Sequence, residues 1–278
     1  MKPLFDEVSR ECSKIATKKY STSFSLGILF LNKNIRPDIY SIYGFVRLAD
    51  EIVDSFHDYD KEMLLSKFEH ETFEAIKNKI SLNPILNSFQ ETVHKYKISI
   101  EWIQTFLESM KMDLYQKNFC AESYQQYIYG SAEVVGLMCL HVFTEADEML
   151  FARLKPYAMK LGSAFQKVNF LRDIKADNEL LGRVYFPGLD ITNFSRQTKK
   201  IMEKDISIDF EEALIGIKQL PISSRKGVYL AYRYYKKLFE KIKKIPPENM
   251  MEKRIRIANF HKIVLMVQSN LKHKFNAI

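Results

Sequence analysis

Tyr43-Gly44-Phe45-Val46-Arg47-Leu48-Ala49-Asp50-Glu51-Ile52-Val53-Asp54 reads as part of one long helix running from Pro37 to Phe56. Ile42, Phe45, Val46, Ala49, Ile52, Val53 and Phe56 cover much of its surface, and Pro37 sits at a permitted first-turn position. The polar stripe left over is Tyr43, Arg47, Asp50, Glu51 and Asp54, at steps of three and four. Residues so spaced share one helix face, so the carboxylates of Asp50 and Asp54 lie one turn apart. In a largely apolar helix such groups should be exposed, paired or metal-bound, because burying a lone charge is costly.

The pattern recurs. Gln166-Lys167-Val168-Asn169-Phe170-Leu171-Arg172-Asp173-Ile174-Lys175-Ala176-Asp177 again sets two aspartates four apart, with Asn169, Asp173 and Asp177 in a stripe flanked by Phe165, Val168, Leu171 and Ile174. Each pair has an arginine beside it, Arg47 or Arg172, whose planar fork suits phosphate. Acidic pairs at this spacing are common on exposed helices, and Glu7/Glu11 is one with no claim to function. Two such segments facing each other across a helical bundle would instead form a metal and diphosphate site, since carboxylate and phosphate oxygens are the ligands magnesium prefers. The competing reading is two internal ion-pair networks, Arg47 with the first acids and Arg172 with the second.

The rest of the chain favours helices. Only nine glycines and eight prolines occur in 278 residues, without the regular turn clusters of a sandwich or barrel. Apolar positions at helical spacing (Leu4, Val8, Cys12, Ile15) predict a helix over 4–19 that stops at Tyr20-Ser21-Thr22-Ser23. Further helices are predicted over 61–80, 84–96, 99–117, 123–142, 146–178, 195–219, 222–244 and 249–273, with a loop at 181–188. No repeat, low-complexity tract or long linker divides the chain, so one all-α domain over 1–278 is expected. A hydrophobic fraction of 46%, with 20 Phe and 15 Tyr, suffices for a core and an apolar cavity besides.

Cys12, Cys120 and Cys139 have no metal-ligand spacing and are too few for a disulfide framework, which fits a reduced cytoplasm. The first residues have no apolar core of a secretory signal, and the near-apolar run Val134 to Phe143 is too short to span a bilayer. The formal charge of +8 is uneven: residues 225–278 hold 14 Lys and Arg against 3 acids. A basic end can meet anionic lipid, nucleic acid or a phosphorylated substrate, or be a solvated helix face. No RNP, zinc-finger or KH pattern supports nucleic acid, and none is expected as a partner.

From Ser21 to Arg256 the chain resembles the squalene/phytoene synthase family of head-to-head prenyl transferases. Tyr20-Ser21-Thr22-Ser23-Phe24 is similar to its serine-containing diphosphate segment, and the two stretches above resemble its aspartate-rich motifs. Tyr129-Gly130-Ser131-Ala132-Glu133-Val134-Val135-Gly136 resembles the segment lining its reaction cavity, and Gly182-Arg183-Val184-Tyr185-Phe186-Pro187 the loop after the second motif. The resemblance implies an isoprenoid synthase fold, a helical bundle around a central cavity. It also implies a two-step reaction. One allylic diphosphate ionises and is attacked by the double bond of a second, giving a cyclopropylcarbinyl diphosphate whose ionisation and rearrangement yield a 1–1′ linked hydrocarbon.

Carried over residue by residue, the resemblance makes Asp50, Asp54, Asp173 and Asp177 metal ligands, with Glu51 and Asn169 beside them. Ser21, Ser23, Tyr43, Arg47, Gln166, Asn169, Arg172, Arg183 and Tyr234 would bind diphosphate, as would Arg254 or Arg256. Tyr129 would steer proton transfer or stabilise the cation. Glu133 departs from the glycine that many relatives have there, and would be a further base, polar support or a group facing away. The implied metal is Mg²⁺, with Mn²⁺ as the alternative. NADPH is not expected, in keeping with the absence of a dinucleotide fingerprint. Phytoene synthesis from two geranylgeranyl diphosphates is the first reading. The alternatives are a farnesyl diphosphate-using presqualene diphosphate, dehydrosqualene or squalene synthase, and a non-catalytic prenyl diphosphate-binding protein. A cytoplasmic protein is expected, touching the membrane peripherally through basic and aromatic residues near the C-terminus.

Overall fold

The computed structural model describes residues 1–250, apart from the side chains of Ser23 and Thr192. Along these residues run α1 (Lys2–Tyr20), α2 (Thr22–Leu29), α3 (Arg36–Ser55), α4 (Lys61–Asn78), α5 (Pro84–Tyr96), α6 (Ile100–Tyr115) and α7 (Ala121–Ile128). They continue as α8 (Val134–Phe143), α9 (Glu148–Leu181), α10 (Arg196–Gln219), α11 (Ile222–Lys243) and the short α12 (Pro247–Met250). No named strand occurs among the described residues; one isolated bridge, Asn118 to Val184, pins the loop after α9 under the α6–α7 connection. Local chemistry explains the helix starts: Asp60, Asn83, Asp147 and Ser195 each accept a bond from the backbone N–H groups of the turn they cap. Gly182, at φ 65°, ends α9 in the left-handed region that glycine adopts without strain.

The long helices agree with the periodicity, and two details differ. α2 follows α1 after a single residue, because Ser21 ends one helix and caps the next by accepting a bond from Phe24 N–H at 3.3 Å. The stretch expected as one helix over 123–142 is interrupted by a π-helical turn, Tyr129–Glu133. Such an insertion rotates the side chains on either side of it relative to each other. The helix expected over 249–273, with Arg254 and Arg256, lies outside the described residues.

α1 packs the opposite way from what its apolar spacing suggests. Leu4, Val8 and Ile15 are 64%, 49% and 55% exposed, whereas Ser9, Ser13 and Thr17 are buried. Polar pairing holds the buried face: Ser13 Oγ meets Ser88 Oγ at 2.6 Å, and Asn87 Nδ2 donates to Asp6 Oδ1 at 2.9 Å and Ser9 Oγ at 3.1 Å. Gly44 of α3 permits the approach, since a Cβ there would lie 2.8 Å from Ser13 Oγ. α3 in turn buries Ile42, Phe45, Ala49 and Val53, with Phe45 stacked on Phe89 at 3.9 Å between ring centres. This holds the acidic stripe of α3 against α6 and α9 rather than in bulk water.

Ser13→Val should therefore destabilise the fold by ~2 kcal/mol through overpacking and a lost buried hydrogen bond. Val8→Ser should change stability by less than ~0.5 kcal/mol, as surface substitutions do. Urea unfolding of the two variants checks the order; equal losses would put α1 the other way round.

Candidate active site

The stripes of α3 and α9 meet at one end of the bundle, and three arginines hold them. The Arg47 guanidinium spans Asp50 and Glu51 and stacks on the Tyr20 ring at 4.4 Å, while its buried Nε has no hydrogen-bond partner. Arg172 Nε donates to both oxygens of Asp173, at 3.1 and 3.0 Å. Arg183 donates to Asp54 Oδ1 at 2.7 Å and lies 3.5 Å from Asp113. Its backbone is fixed by the end of α9, where Arg183 N–H donates to the Asp177 carbonyl at 2.8 Å.

These carboxylates crowd one another. Burial first, and then the charge of Asp54, pushes Asp50 up to about 7 from 3.8. A third of the Asp50 side chain is open, at 34%, but that surface faces the cavity it lines rather than bulk solvent. Burial, then Asp173, then Asp54 push Asp177 up to about 8. Asp54 thus acts on carboxylates of both motifs, which places it where the two helices converge. Among the described residues no three His, Cys, Asp or Glu side chains stand close enough together to hold a metal ion in this arrangement. The donor chemistry nevertheless fits a hard divalent cation: anionic oxygens from two helices, mutually repelling, with arginines as their counter-charges.

Behind the acids runs a network that motif reading misses. Tyr127 Oη donates to Asp113 Oδ2 at 2.7 Å and Tyr185 Oη to Asp113 Oδ1 at 2.9 Å, while Arg183 donates to Tyr185 Oη at 3.2 Å. Asp113 is buried on α6, and its one sequence signal is a lone acid among Met110, Met112 and Leu114. Burial holds it up at about 6, against the pull of the Arg183 charge.

From the acids an apolar cavity of about 410 Å³ extends into the bundle. Ser21, Tyr43, Arg47, Asp50, Gln166, Asn169 and Arg172 line it. Glu51, Asp54, Asp173, Asp177 and Arg183 stand around its polar end without lining it. Aromatic rings gather just inside: Phe24 lies 4.6 Å from Tyr43, and Phe165 stacks on Tyr235 at 4.0 Å. Tyr235 Oη also donates to Asn169 Oδ1 at 3.3 Å.

Two sequence expectations change, and one open alternative is decided. Tyr129 does not line the cavity, and Tyr127 does. Residues two apart on a helix point to different sides, and Tyr129 starts the π-turn. Tyr234 likewise yields the lining position to its neighbour Tyr235. Glu133 faces away from the cavity, accepting a bond from Ser163 Oγ beside an ionic cluster in which buried Lys167 meets exposed Asp205 at 2.6 Å and buried Asp209 at 2.7 Å.

Comparison with known proteins agrees with this architecture. Residues 17–261 match the Squalene/phytoene synthase family profile. Phytoene synthase 1 of Solanum lycopersicum is 28% identical over 260 residues, covering 86% of this chain, which spans only 62% of that protein's length. Phytoene synthase 2 of the same plant is 27% identical over 86% of this chain and 82% of its own. Among solved structures, a dehydrosqualene synthase superposes with a TM-score of 0.81 at 21% identity, over 97% of this chain and 98% of that one. The squalene synthase HpnC of Alicyclobacillus acidocaldarius gives a TM-score of 0.75 at 21% identity, over 86% and 95%.

Because Asp113 is held up near 6, the folded chain keeps a proton that the unfolded chain releases from about pH 4 upward. Its contribution to stability is greatest below about pH 4 and falls by at most ~3 kcal/mol as pH rises to about 6. In Asp113→Asn the difference in unfolding free energy between those two pH values should shrink by ~2 kcal/mol relative to the parent. Urea titration at both ends of the window reads this, and an unchanged difference would refute the assignment.

Proposed function

Because the chain belongs to the squalene/phytoene synthase family, we propose that it is an Mg²⁺-dependent prenyltransferase that joins two geranylgeranyl diphosphates head to head into phytoene. The observation that carries this reading is the convergence of two arginine-paired acidic stripes at the mouth of an aromatic-rimmed apolar cavity. A site that binds diphosphate and tolerates a carbocation needs both halves.

Arg47 and Arg172, now paired with acids, are the groups that would turn to diphosphate oxygens, together with Ser21 and Gln166 at the same rim. Asp50, Asp54, Asp173 and Asp177 would hold the metal, which would neutralise the leaving group's charge. The C1–O bond then breaks with both electrons leaving on the diphosphate oxygen. The faces of Phe24, Tyr43, Phe165 and Tyr235 stand where the allylic cation forms, and ring quadrupoles favour positive charge over them. Attack by the second substrate's double bond, with loss of a proton, closes the cyclopropane. Tyr127 is the hydroxyl placed to guide that proton, with its own proton directed at Asp113. No reductant enters, because the phytoene-forming route ends in proton loss. The proposed enzyme is cytoplasmic with peripheral membrane contact, and no helix among the described residues is long and apolar enough to cross a membrane.

Product analysis by mass spectrometry, with Mg²⁺ and either geranylgeranyl or farnesyl diphosphate, with and without NADPH, tests the reading. A C40 hydrocarbon from the C20 substrate without NADPH is the expected result. A C30 hydrocarbon or presqualene diphosphate from the C15 substrate would move the assignment to the farnesyl branch, and no product from either would leave a binding protein. Asp54→Asn and Asp173→Asn should each abolish turnover while helical content persists. Tyr127→Phe should slow product formation by ~10²-fold, a usual size for a proton-transfer group, and Tyr129→Phe should not; the reverse order would return Tyr129 to the cavity.

A further inference from the structure

We propose that Glu133 is a positioning residue for the proton-guiding tyrosine: by accepting the Ser163 hydroxyl it holds the π-turn that keeps Tyr127 on the cavity wall. The inference rests on the reading of Tyr127 given above and adds to it a residue outside the cavity. Tyr127, Ser131, Val135, Cys139 and Phe143, at steps of four, all line the cavity. An uninterrupted α-helix has 3.6 residues per turn, so each such step turns the side chain by ~40° and the whole run by ~160°. Its first and last members would then face nearly opposite sides. The π-turn takes up one extra residue, about 100° of rotation, and cuts the drift to ~60°. The bond that defines such a turn is present, from Val134 N–H to the Tyr129 carbonyl five residues back.

Two glycines bring the neighbouring helices onto this turn. A Cβ on Gly130 would lie 2.8 Å from the Thr105 carbonyl oxygen of α6, and one on Gly162 of α9 would lie 2.7 Å from the Ala132 carbonyl oxygen. Backbone contact of this kind fixes a distance but not a rotation. The directional contact comes from Glu133, the last residue of the turn, which accepts a bond from the buried Ser163 Oγ next to Gly162. In the middle of the turn, by contrast, the buried Ser131 Oγ has no hydrogen-bond partner among the protein's atoms. Burial pushes the Glu133 carboxyl up, and the Ser163 bond with the charges of Lys167 and Lys160 opposes it, so the acid is also tied to the cluster that joins α9 to α10.

Release of the turn would fall on α7. Beyond the turn α8 is locked, with Val134, Leu137, Met138 and Val142 all 0% exposed. On the other side α7 has eight residues, and Glu122, Gln125 and Gln126 among them are exposed. The contact that a rotation of α7 breaks is the 2.7 Å bond from Tyr127 Oη to Asp113.

Two readouts test this, one of them independent of turnover. The Tyr127 hydroxyl proton, buried against Asp113, should give a downfield proton NMR resonance, identified by its loss in Tyr127→Phe. Glu133→Ala and Ser163→Ala should each shift or remove that resonance, and Glu133→Gln, whose amide oxygen still accepts from Ser163, should keep it. With Mg²⁺ and geranylgeranyl or farnesyl diphosphate, whichever turns over, Glu133→Ala should lower kcat about tenfold at unchanged KM, the scale of a misplaced reacting group, and Glu133→Gln by less than ~2-fold. In a Tyr127→Phe background the loss from Glu133→Ala should vanish, as coupled residues require and a general loss of folding would not produce. A resonance unmoved in both alanine variants, or an equal loss of kcat in both backgrounds, would overturn the proposal. A parent that shows the resonance and forms no product would contradict the enzymatic reading, while the resonance still decides whether Glu133 holds Tyr127.

Discussion

Repulsion among carboxylates on two helices is the constraint on which the rest of this structure depends. Asp50 and Asp54 from α3 meet Asp173 and Asp177 from α9 in surroundings dry enough to push two of the four far above the usual carboxylate range. A fold would not gather such groups for stability, because desolvating them costs more than their arginine partners return. They hold together here because Arg47, Arg172 and Arg183 each sit on an acid. On the proposed function, a site balanced in this way would exchange one set of counter-charges for another, guanidinium for metal, and the freed guanidinium would turn to an incoming diphosphate.

The scaffold bears that load through close backbone approach rather than through large side chains alone. Glycine at 44 brings α3 within contact of the hydroxyl face of α1, and glycine at 216 brings α10 onto the ring of Tyr157. The pairing of buried Lys167 with buried Asp209 and exposed Asp205 ties α9 to α10. α9 carries Gln166, Asn169, Arg172 and Phe165 at the cavity, while Phe24, Tyr43 and Tyr235 come to the same rim from α2, α3 and α11.

Much of this was legible in the residues. The apolar cover of α3 and the repeated spacing of acids and arginine depend only on helical period, and the structure keeps both. Asp113 was not legible, since a single acid on an amphipathic helix has no pattern to betray it; its importance comes from Tyr127, Tyr185 and Arg183 arriving from other elements. Tyr127 and Tyr129 could not be told apart either. Both fall within a stretch that reads as continuous helix, and the π-turn beginning at Tyr129 is a packing event. α1 misleads for a similar reason: its apolar spacing is real, yet hydrogen bonds to α5 and the gap at Gly44 turn the serine face inward.

The sequence by itself determined the helical class, the two acidic stripes and the family, because these are written in local spacing that any helix expresses. Tertiary structure alone decided which tyrosine reaches the cavity, which arginine meets which acid, and how far the cavity runs. Those are relations between elements distant in the chain, and they exist only once packing has brought α3, α6, α9 and the loop at Arg183 to the same point.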